Sequence, residues 1–248
     1  MTPKRIFITG TSSGIGRALA EKYAGPGVTL GLNARRTDRL EDLKSALEAK
    51  GATAYIFPGD VSDDKVMAKG AQDFIASAGG VDLVIANAGK GGPDRLDEGN
   101  GGRLSHLVAV NVGGVLNTLL PFIPTMLEQR SGHLVTIGSV AGFRALPGRA
   151  TYGATKSAVK QLMDGFRLEL RGSGISVTTV CPGFVESELT DRNNFPMPFF
   201  LKTDKAVNMI VGALRQRKKT YTFPWQWRLL LPIISRIPDW MIPKKNYL

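Results

Sequence analysis

Tyr152 and Lys156 stand four residues apart in the stretch YGATK, and Ser139 precedes the tyrosine by thirteen positions. On a helix, residues i and i+4 share a face, so the phenol and the ammonium would point into one space. A free tyrosine loses its proton near pH ~10, too high for efficient proton exchange around neutrality. A neighbouring cation favours the phenolate and lowers that value. The spacing therefore predicts a proton donor, Tyr152, with Lys156 as its tuner. Ser139 supplies a hydroxyl able to hold the oxygen that receives the proton. Taken without their surroundings, the same five residues are only the start of a packed helix.

Groups of this kind need a rigid frame. Apolar runs at 5–9, 28–34, 53–59, 81–88, 133–139 and 175–183 read as strands buried on both faces. Between them lie amphipathic stretches, with stripes formed by Ile15, Leu19 and Tyr23 and by Leu40, Leu43 and Leu47. The alternation predicts one α/β domain over residues 1–248: a doubly wound parallel sheet flanked by helices, with a short C-terminal extension at about 219–248. Directly after the first run comes TGTSSGIG, residues 9–16. A strand, a glycine-rich turn and a helix start place backbone N–H groups and a positive helix end where a pyrophosphate can sit. Gly10, Ser12, Ser13, Gly14, Ile15 and Gly16 are thus candidates for dinucleotide binding. Gly10 serves the tight turn, Gly14 the close approach of phosphate, and Gly16 the packing of helix on strand.

Composition narrows the class. A hydrophobic fraction of 43% in 248 residues suffices for a sizeable core. The single cysteine, Cys181, cannot form an internal disulfide and reads as a small buried hydrophobe. His106 and His133 stand alone, so no cluster has metal-ligand spacing and no metal is expected. The opening MTPKRIFITG enters a strand at once, leaving no room for a signal peptide. No uninterrupted apolar run approaches the roughly 20 residues that span a bilayer, and a cytoplasmic location is expected. The net charge of +11 invites a nucleic-acid reading. Yet +7 of it lies from Arg215 to Leu248, where eight Lys/Arg accompany the lone acid Asp239. That distribution points at the C-terminus rather than at a nucleic-acid-binding fold.

The glycine spacing is G-x-x-x-G-x-G. ANAG at 86–89, VN at 110–111, Ser139, Tyr152, Lys156 and PGFVES at 182–187 follow in that order. With this ordered set the chain resembles the short-chain dehydrogenase/reductase family over roughly residues 4–190. The resemblance implies one Rossmann-type domain, a nicotinamide cofactor, hydride transfer to or from a carbonyl or alcohol substrate, and homodimers or homotetramers. It implies that Lys156 also holds the nicotinamide ribose hydroxyls, and that Asn111 marks a helix distortion holding a water that links the lysine to solvent. Asp60, with Val61 beside it, would contact the adenine, and Asn87, Ala88 and Gly89 would line the cofactor. Pro182, Gly183, Val185 and Ser187 would face the carboxamide, Ser187 standing where the family commonly has Thr. Ala86 stands where the family often has a second Asn.

A dinucleotide site ordinarily presents an acid to the adenosine ribose about 20 residues after the glycines. Here the second strand ends NARR, putting Arg35 and Arg36 in that region with no acid adjacent in the chain. Guanidinium forks match a 2′-phosphate and stay charged, so NADP(H) is the expected cofactor. The expected function is an NADP(H)-dependent carbonyl reductase or alcohol dehydrogenase. A non-catalytic NADP(H)-binding regulatory or scaffold protein is the alternative, and it would not require the phenol and serine. FPMPFFL, residues 195–201, reads either as the substrate lid that the resemblance implies, favouring a lipophilic or aromatic carbonyl compound, or as a helix packing on the body. The tail holds all three tryptophans, Trp225, Trp227 and Trp240, amid basic residues, with prolines that break it into short pieces. An interfacial membrane contact, a lid or subunit contact, and plain surface packing all remain open for it.

Overall fold

In the computed structural model, which describes residues 3–191 and 195–242, seven parallel strands form one sheet in the order β3-β2-β1-β4-β5-β6-β7. They are β1 (Arg5–Thr9), β2 (Thr29–Ala34), β3 (Thr53–Pro58), β4 (Leu83–Ala86), β5 (Gly132–Ile137), β6 (Ile175–Pro182) and β7 (Thr220–Phe223). The helices are α1 (Gly14–Tyr23), α2 (Thr37–Glu48), α3 (Asp64–Ala78), α4 (Gly101–Val108), α5 (Gly114–Leu119), α6 (Ile123–Gln129), α7 (Ala150–Glu169), α8 (Thr203–Arg215) and α9 (Trp225–Ile234).

The first six strands coincide with the apolar runs. β7 does not: it lies in the stretch expected to be an extension, yet it pairs with β6, Thr179 opposite Thr220 and Pro182 opposite Phe223. Its four residues, TYTF, are too few to show a period, so the sequence carries no strand signal there. The sheet therefore reaches into the tail. Residues 243–248 of the predicted extension lie outside the described residues. The tail is also less broken than expected, since α9 continues through Pro232. A proline near the end of a short helix sacrifices only one intrahelical bond.

β1 shows why the runs are apolar throughout. Successive side chains point to opposite faces of a sheet, and here both faces are covered. Ile6 and Ile8 pack against Leu19 of α1, the Leu40, Leu43 and Leu47 stripe of α2, and Ile210 and Leu214 of α8. Phe7 packs on the other side with Phe74 of α3, Phe122, and Met163 of α7. Its ring centroid lies 4.9 Å from that of Phe122 and 5.5 Å from that of Phe74.

The helical run from Gly101 to Gln129 is long and apolar enough to cross a bilayer by length and composition alone. Its Val110, Val115, Leu119 and Met126 are buried in the second core, which makes it a core helix of the fold. β1 and β4 are neighbours in the sheet. The strand order reverses between them, opening a crevice at their carboxyl ends. The glycine-rich turn sits there.

Candidate active site

Gly10 and Gly14 have φ of 70° and 53°, the left-handed region that side chains resist. A Cβ on Gly10 would lie 2.8 Å from Asn87 Nδ2 and 2.9 Å from the Ala88 Cα. One on Gly16 would press into the Gly10 carbonyl, so this glycine lets α1 sit on the turn. Ile15 packs against the first core. Ser13 is the N-cap of α1 but makes no cap bond to the helix, leaving the first amides of α1 for a ligand's oxygens. Thr9 Oγ1 accepts the amides of Asn87 (3.1 Å) and Ala88 (3.2 Å). Asn87 Nδ2 returns bonds to the carbonyls of Thr9 (2.9 Å) and Gly10 (3.2 Å). Thr9, which nothing in the sequence singles out, thereby locks the end of β4 to the end of β1. A cradle of positive-φ glycines and uncapped amides fits a dinucleotide's pyrophosphate.

α7 carries Tyr152 in its first turn and Lys156 one turn later. Ser139, just past β5, lies beside Tyr152, and its hydroxyl favours the phenolate. Its Oγ also accepts the Ala141 amide at 3.1 Å, capping a short 3₁₀ turn, Val140–Gly142. The fold thus brings Ser139, Tyr152 and Lys156 to one place at the carboxyl edge of the sheet. The electrostatics differ from the expectation. Burial pushes the Tyr152 phenol up, opposed by Ser139 and by the charge of Arg149. Lys156 is only 7% exposed and donates from Nζ to the Ile137 carbonyl at 2.9 Å. Its Nζ stands 5.8 Å from the Tyr152 ring centroid. Burial pulls Lys156 down to about 8. Arg149 is the cation that opposes the rise at Tyr152, while the Lys156 ammonium is held at the end of β5.

Two side chains hold this machinery in position. Asn111 is buried in a π-helical turn, Ala109–Gly113. Its Oδ1 accepts the Lys90 amide at 2.8 Å, and its Nδ2 donates to the Lys90 carbonyl at 2.9 Å and Thr155 Oγ1 at 3.1 Å. Thr155 donates in turn to the Tyr152 carbonyl at 2.7 Å. Gly89 fits between, since a Cβ there would lie 3.3 Å from Asn111 Oδ1 and 3.7 Å from Lys156 Nζ. The second is Asp94, 2% exposed, which the sequence does not reveal. The N-cap residue of α7, Arg149, makes no side-chain cap bond. Asp94 supplies the cap from the loop after β4, accepting the amides of Ala150 (2.5 Å) and Thr151 (3.2 Å).

The arginines after β2 are not free of acids in space. Arg35 Nη1 lies 3.5 Å from Asp60 Oδ2. Arg36 makes a two-armed pair with Glu188, 2.9 Å from Nη2 to Oε2 and 3.2 Å from Nη1 to Oε1, and donates from Nη2 to Ser12 Oγ at 2.9 Å. The Arg36 hydrogen bond holds the Glu188 carboxyl below its ordinary range, helped by Ser13. Glu188 arrives from the loop after β6, so chain neighbourhood alone conceals it. Asp60 also accepts the amide (3.0 Å) and hydroxyl (2.8 Å) of Ser62. Although burial works against it, those bonds and the charges of Arg35 and His106 keep Asp60 below the usual carboxylate range. Val61 is buried, and its carbonyl accepts Asn117 Nδ2 at 2.9 Å.

The family model for short chain dehydrogenases matches residues 4–196. The chain belongs to this family. An uncharacterised oxidoreductase of Myxococcus xanthus is 39% identical over 239 residues, covering 96% of this chain and 94% of its own. One from Mycobacterium tuberculosis is 34% identical over 254 residues, covering 99% and 96%. Among solved structures, a short-chain dehydrogenase/reductase from Burkholderia phymatum in complex with NAD superposes with a TM-score of 0.84 at 27% identity, covering 92% and 91% of the two chains. A short-chain dehydrogenase from Sphingobium yanoikuyae in complex with NADPH gives 0.81 at 26% identity, covering 97% and 98%. This protein is accordingly an oxidoreductase of the short-chain dehydrogenase type, a family that binds a nicotinamide cofactor.

Aromatic side chains cluster around the end of β6 in the dehydrogenase. β6 ends at Pro182, and the Gly183 amide donates to the Phe223 carbonyl at 2.8 Å. Trp227 of α9 lies on Gly183, where a Cβ would strike its ring. Its ring centroid is 6.3 Å from that of Phe184 and 5.8 Å from that of Phe199, and Phe184 is 5.9 Å from Phe195. Val185 bridges to Leu201, tying the 195–201 segment to the end of β6. Ser187 bonds within its own turn, its amide donating to Thr190 Oγ1 at 2.9 Å. A Cβ on Gly14 would come within 3.1 Å of the Ser187 Cβ, so the close approach at Gly14 is to this loop. Arg144, from the loop after Ser139, reaches the tail, donating to the Ile237 carbonyl at 2.9 Å and pairing with Asp239 at 2.5 Å.

Elsewhere, burial raises the Cys181 thiol to about 11, an inert group. His133 is buried in β5 with Nε2 2.8 Å from Thr178 Oγ1. No group of three metal-ligating side chains occurs among the described residues.

Proposed function

We propose that this enzyme interconverts a lipophilic carbonyl compound and its alcohol, with NADP(H) as the hydride partner. The observation that carries the reading is the convergence of Ser139, past the end of β5, with Tyr152 and Lys156 of α7 at the crevice. When bound, a nicotinamide dinucleotide supplies or takes up the hydride. Tyr152 gives its phenolic proton to the carbonyl oxygen in reduction and recovers it in oxidation. The phenol is protonated at neutral pH, the form a donor needs. The Ser139 hydroxyl bonds the same oxygen and fixes its position. Lys156, with a pKa of about 8, stays mostly charged at neutrality and presents Nζ to ribose hydroxyls beside Gly89.

The turn from Gly10 to Gly16 would hold the pyrophosphate, with Asp60 and Val61 at the adenine. Solved relatives carry NAD or NADPH, so the preference for NADP(H) rests on this chain's own Arg35, Arg36 and Ser12. Arg36 exchanges Glu188 for the 2′-phosphate, a doubly charged partner that the guanidinium fork matches better. The cluster of Phe184, Phe195, Phe199 and Trp227 favours an apolar substrate. The test is a panel of ketones, aldehydes and alcohols followed by nicotinamide absorbance, in wild type and Tyr152→Phe. Turnover should fall by at least roughly 100-fold in the variant while the cofactor Kd is unchanged. Near-normal turnover of Tyr152→Phe would remove the mechanism. Cofactor binding without turnover of any panel member would favour the scaffold alternative.

A further inference from the structure

α9 is amphipathic, but its outer face is not that of a helix meeting water. Trp227 and Leu231 turn inward onto the body of the enzyme. On the opposite face, Trp225 (64% exposed), Leu229 (63%) and Ile233 (63%) recur every four residues. One side of a helix therefore carries a continuous apolar stripe facing outward. Trp240, 84% exposed, and the exposed Met241 follow in the chain, in a short turn after the helix end. Scattered exposed hydrophobics are ordinary on any protein, but a contiguous row of them marks an interaction surface.

The charge around the stripe says what covers it. α9 contains no acidic residue, and Arg228 flanks the stripe with Arg236 just beyond the helix. Both are exposed and have no ion pair among the described residues. Asp239, the one acid after Arg215 in the chain, is already paired with Arg144. A second copy of the chain docked through this face would bring basic side chains to basic side chains. Tryptophans beside aliphatics, framed by arginines, match the boundary of a bilayer, where the rings sit at headgroup depth and the cations meet phosphates.

We propose that the outer face of α9, with Trp240 and Met241, docks the enzyme on an anionic lipid surface. The tryptophans and aliphatics enter the interface, and Arg228 and Arg236 face the headgroups. Each arginine near an anionic surface contributes roughly fivefold to affinity, and salt screens that part.

The test is co-sedimentation of the full-length enzyme with vesicles of phosphatidylglycerol and phosphatidylcholine, and with phosphatidylcholine alone. It needs no turnover, so its failure is separate from failure of the reductase reading. Binding to the anionic vesicles should weaken at least about tenfold between roughly 0.05 and 0.5 M salt, and should be weaker still on neutral vesicles. Leu229→Ser with Ile233→Ser should weaken binding by more than about tenfold, with thermal midpoint and cofactor affinity unchanged. Arg228→Gln with Arg236→Gln should flatten the salt dependence. No binding by the folded wild type at low salt would overturn the proposal. So would binding indifferent to both pairs, or a change of sedimentation coefficient without vesicles in the apolar pair, which would assign the face to a contact between copies.

Discussion

Replacing Asp94 by alanine should loosen the helix that carries Tyr152 and Lys156. The carboxylate accepts the amides of Ala150 (2.5 Å) and Thr151 (3.2 Å) in surroundings where Asp94 is 2% exposed. Loss of a helix cap costs about 0.5–2 kcal/mol, and a buried donor left without an acceptor about 1–3 kcal/mol. The two descriptions overlap, so about 2–4 kcal/mol is expected in total. At ~2–4 °C per kcal/mol for a chain of this size, the thermal midpoint should fall by about 4–16 °C. Tyr152 lies in the same turn as the two orphaned amides, so the phenol shifts relative to Ser139. A misplacement of ~1 Å costs up to about 100-fold, and a smaller shift here should lower kcat roughly tenfold, measured well below the midpoint. The cofactor Kd should hardly move, because the glycine turn is on α1 and not on α7. Asp94→Asn keeps one acceptor oxygen and should show a smaller loss on both measures. Calorimetry and steady-state kinetics on the two variants decide the matter. An Asp94→Ala enzyme with a midpoint within about 1 °C of wild type and an unchanged kcat would refute this role.

Two further outcomes follow from charge. Arg36→Ala should weaken NADP(H) at least about tenfold with little effect on NAD(H), since a charge-assisted bond is worth about 1.5–3 kcal/mol. Arg35→Asp should shift the kcat/KM ratio towards NAD(H). A wild type that prefers NAD(H) would show both arginines to be surface charge answered by Asp60 and Glu188. His133 governs an acid limb. Burial, aided by Arg217, pulls its pKa from 6.5 to about 4, so the unfolded chain binds a proton that the folded one refuses between those values. The neutral ring's stability is fully present above pH 6.5 and is lost as pH falls towards about 4. The loss amounts to at most about 3 kcal/mol. Urea midpoints at pH 7 and near pH ~4.5 should converge in His133→Gln relative to wild type; an equal acid loss in both proteins would count against the buried neutral imidazole.

The alternation of strand and helix that makes a parallel sheet, the glycine turn and the shared face of Tyr152 and Lys156 were legible in the sequence. Each is recorded within a few residues. Continuous apolar runs mark strands covered on both sides, glycines mark a turn that a Cβ would block, and a four-residue spacing marks one helix face. β7 escaped because TYTF is too short to carry a period and borrows its stability from β6.

Only the tertiary structure decided the partners of the site. Asp94 caps α7 from 56 residues away, and Glu188 meets Arg36 across 152. The same holds for the ammonium of Lys156. Spacing placed it near the phenol, but the Ile137 carbonyl at the end of β5 takes it at 2.9 Å. The outer stripe of α9 is a further case, since apolar residues all along WQWRLLLPII do not say which face the body covers until Trp227 is seated on Gly183. Helix and strand periods are properties of a chain segment and so leave a pattern in it. A contact between segments depends on how the sheet stacks them, and one carboxylate or one carbonyl placed there leaves no periodic mark on the chain.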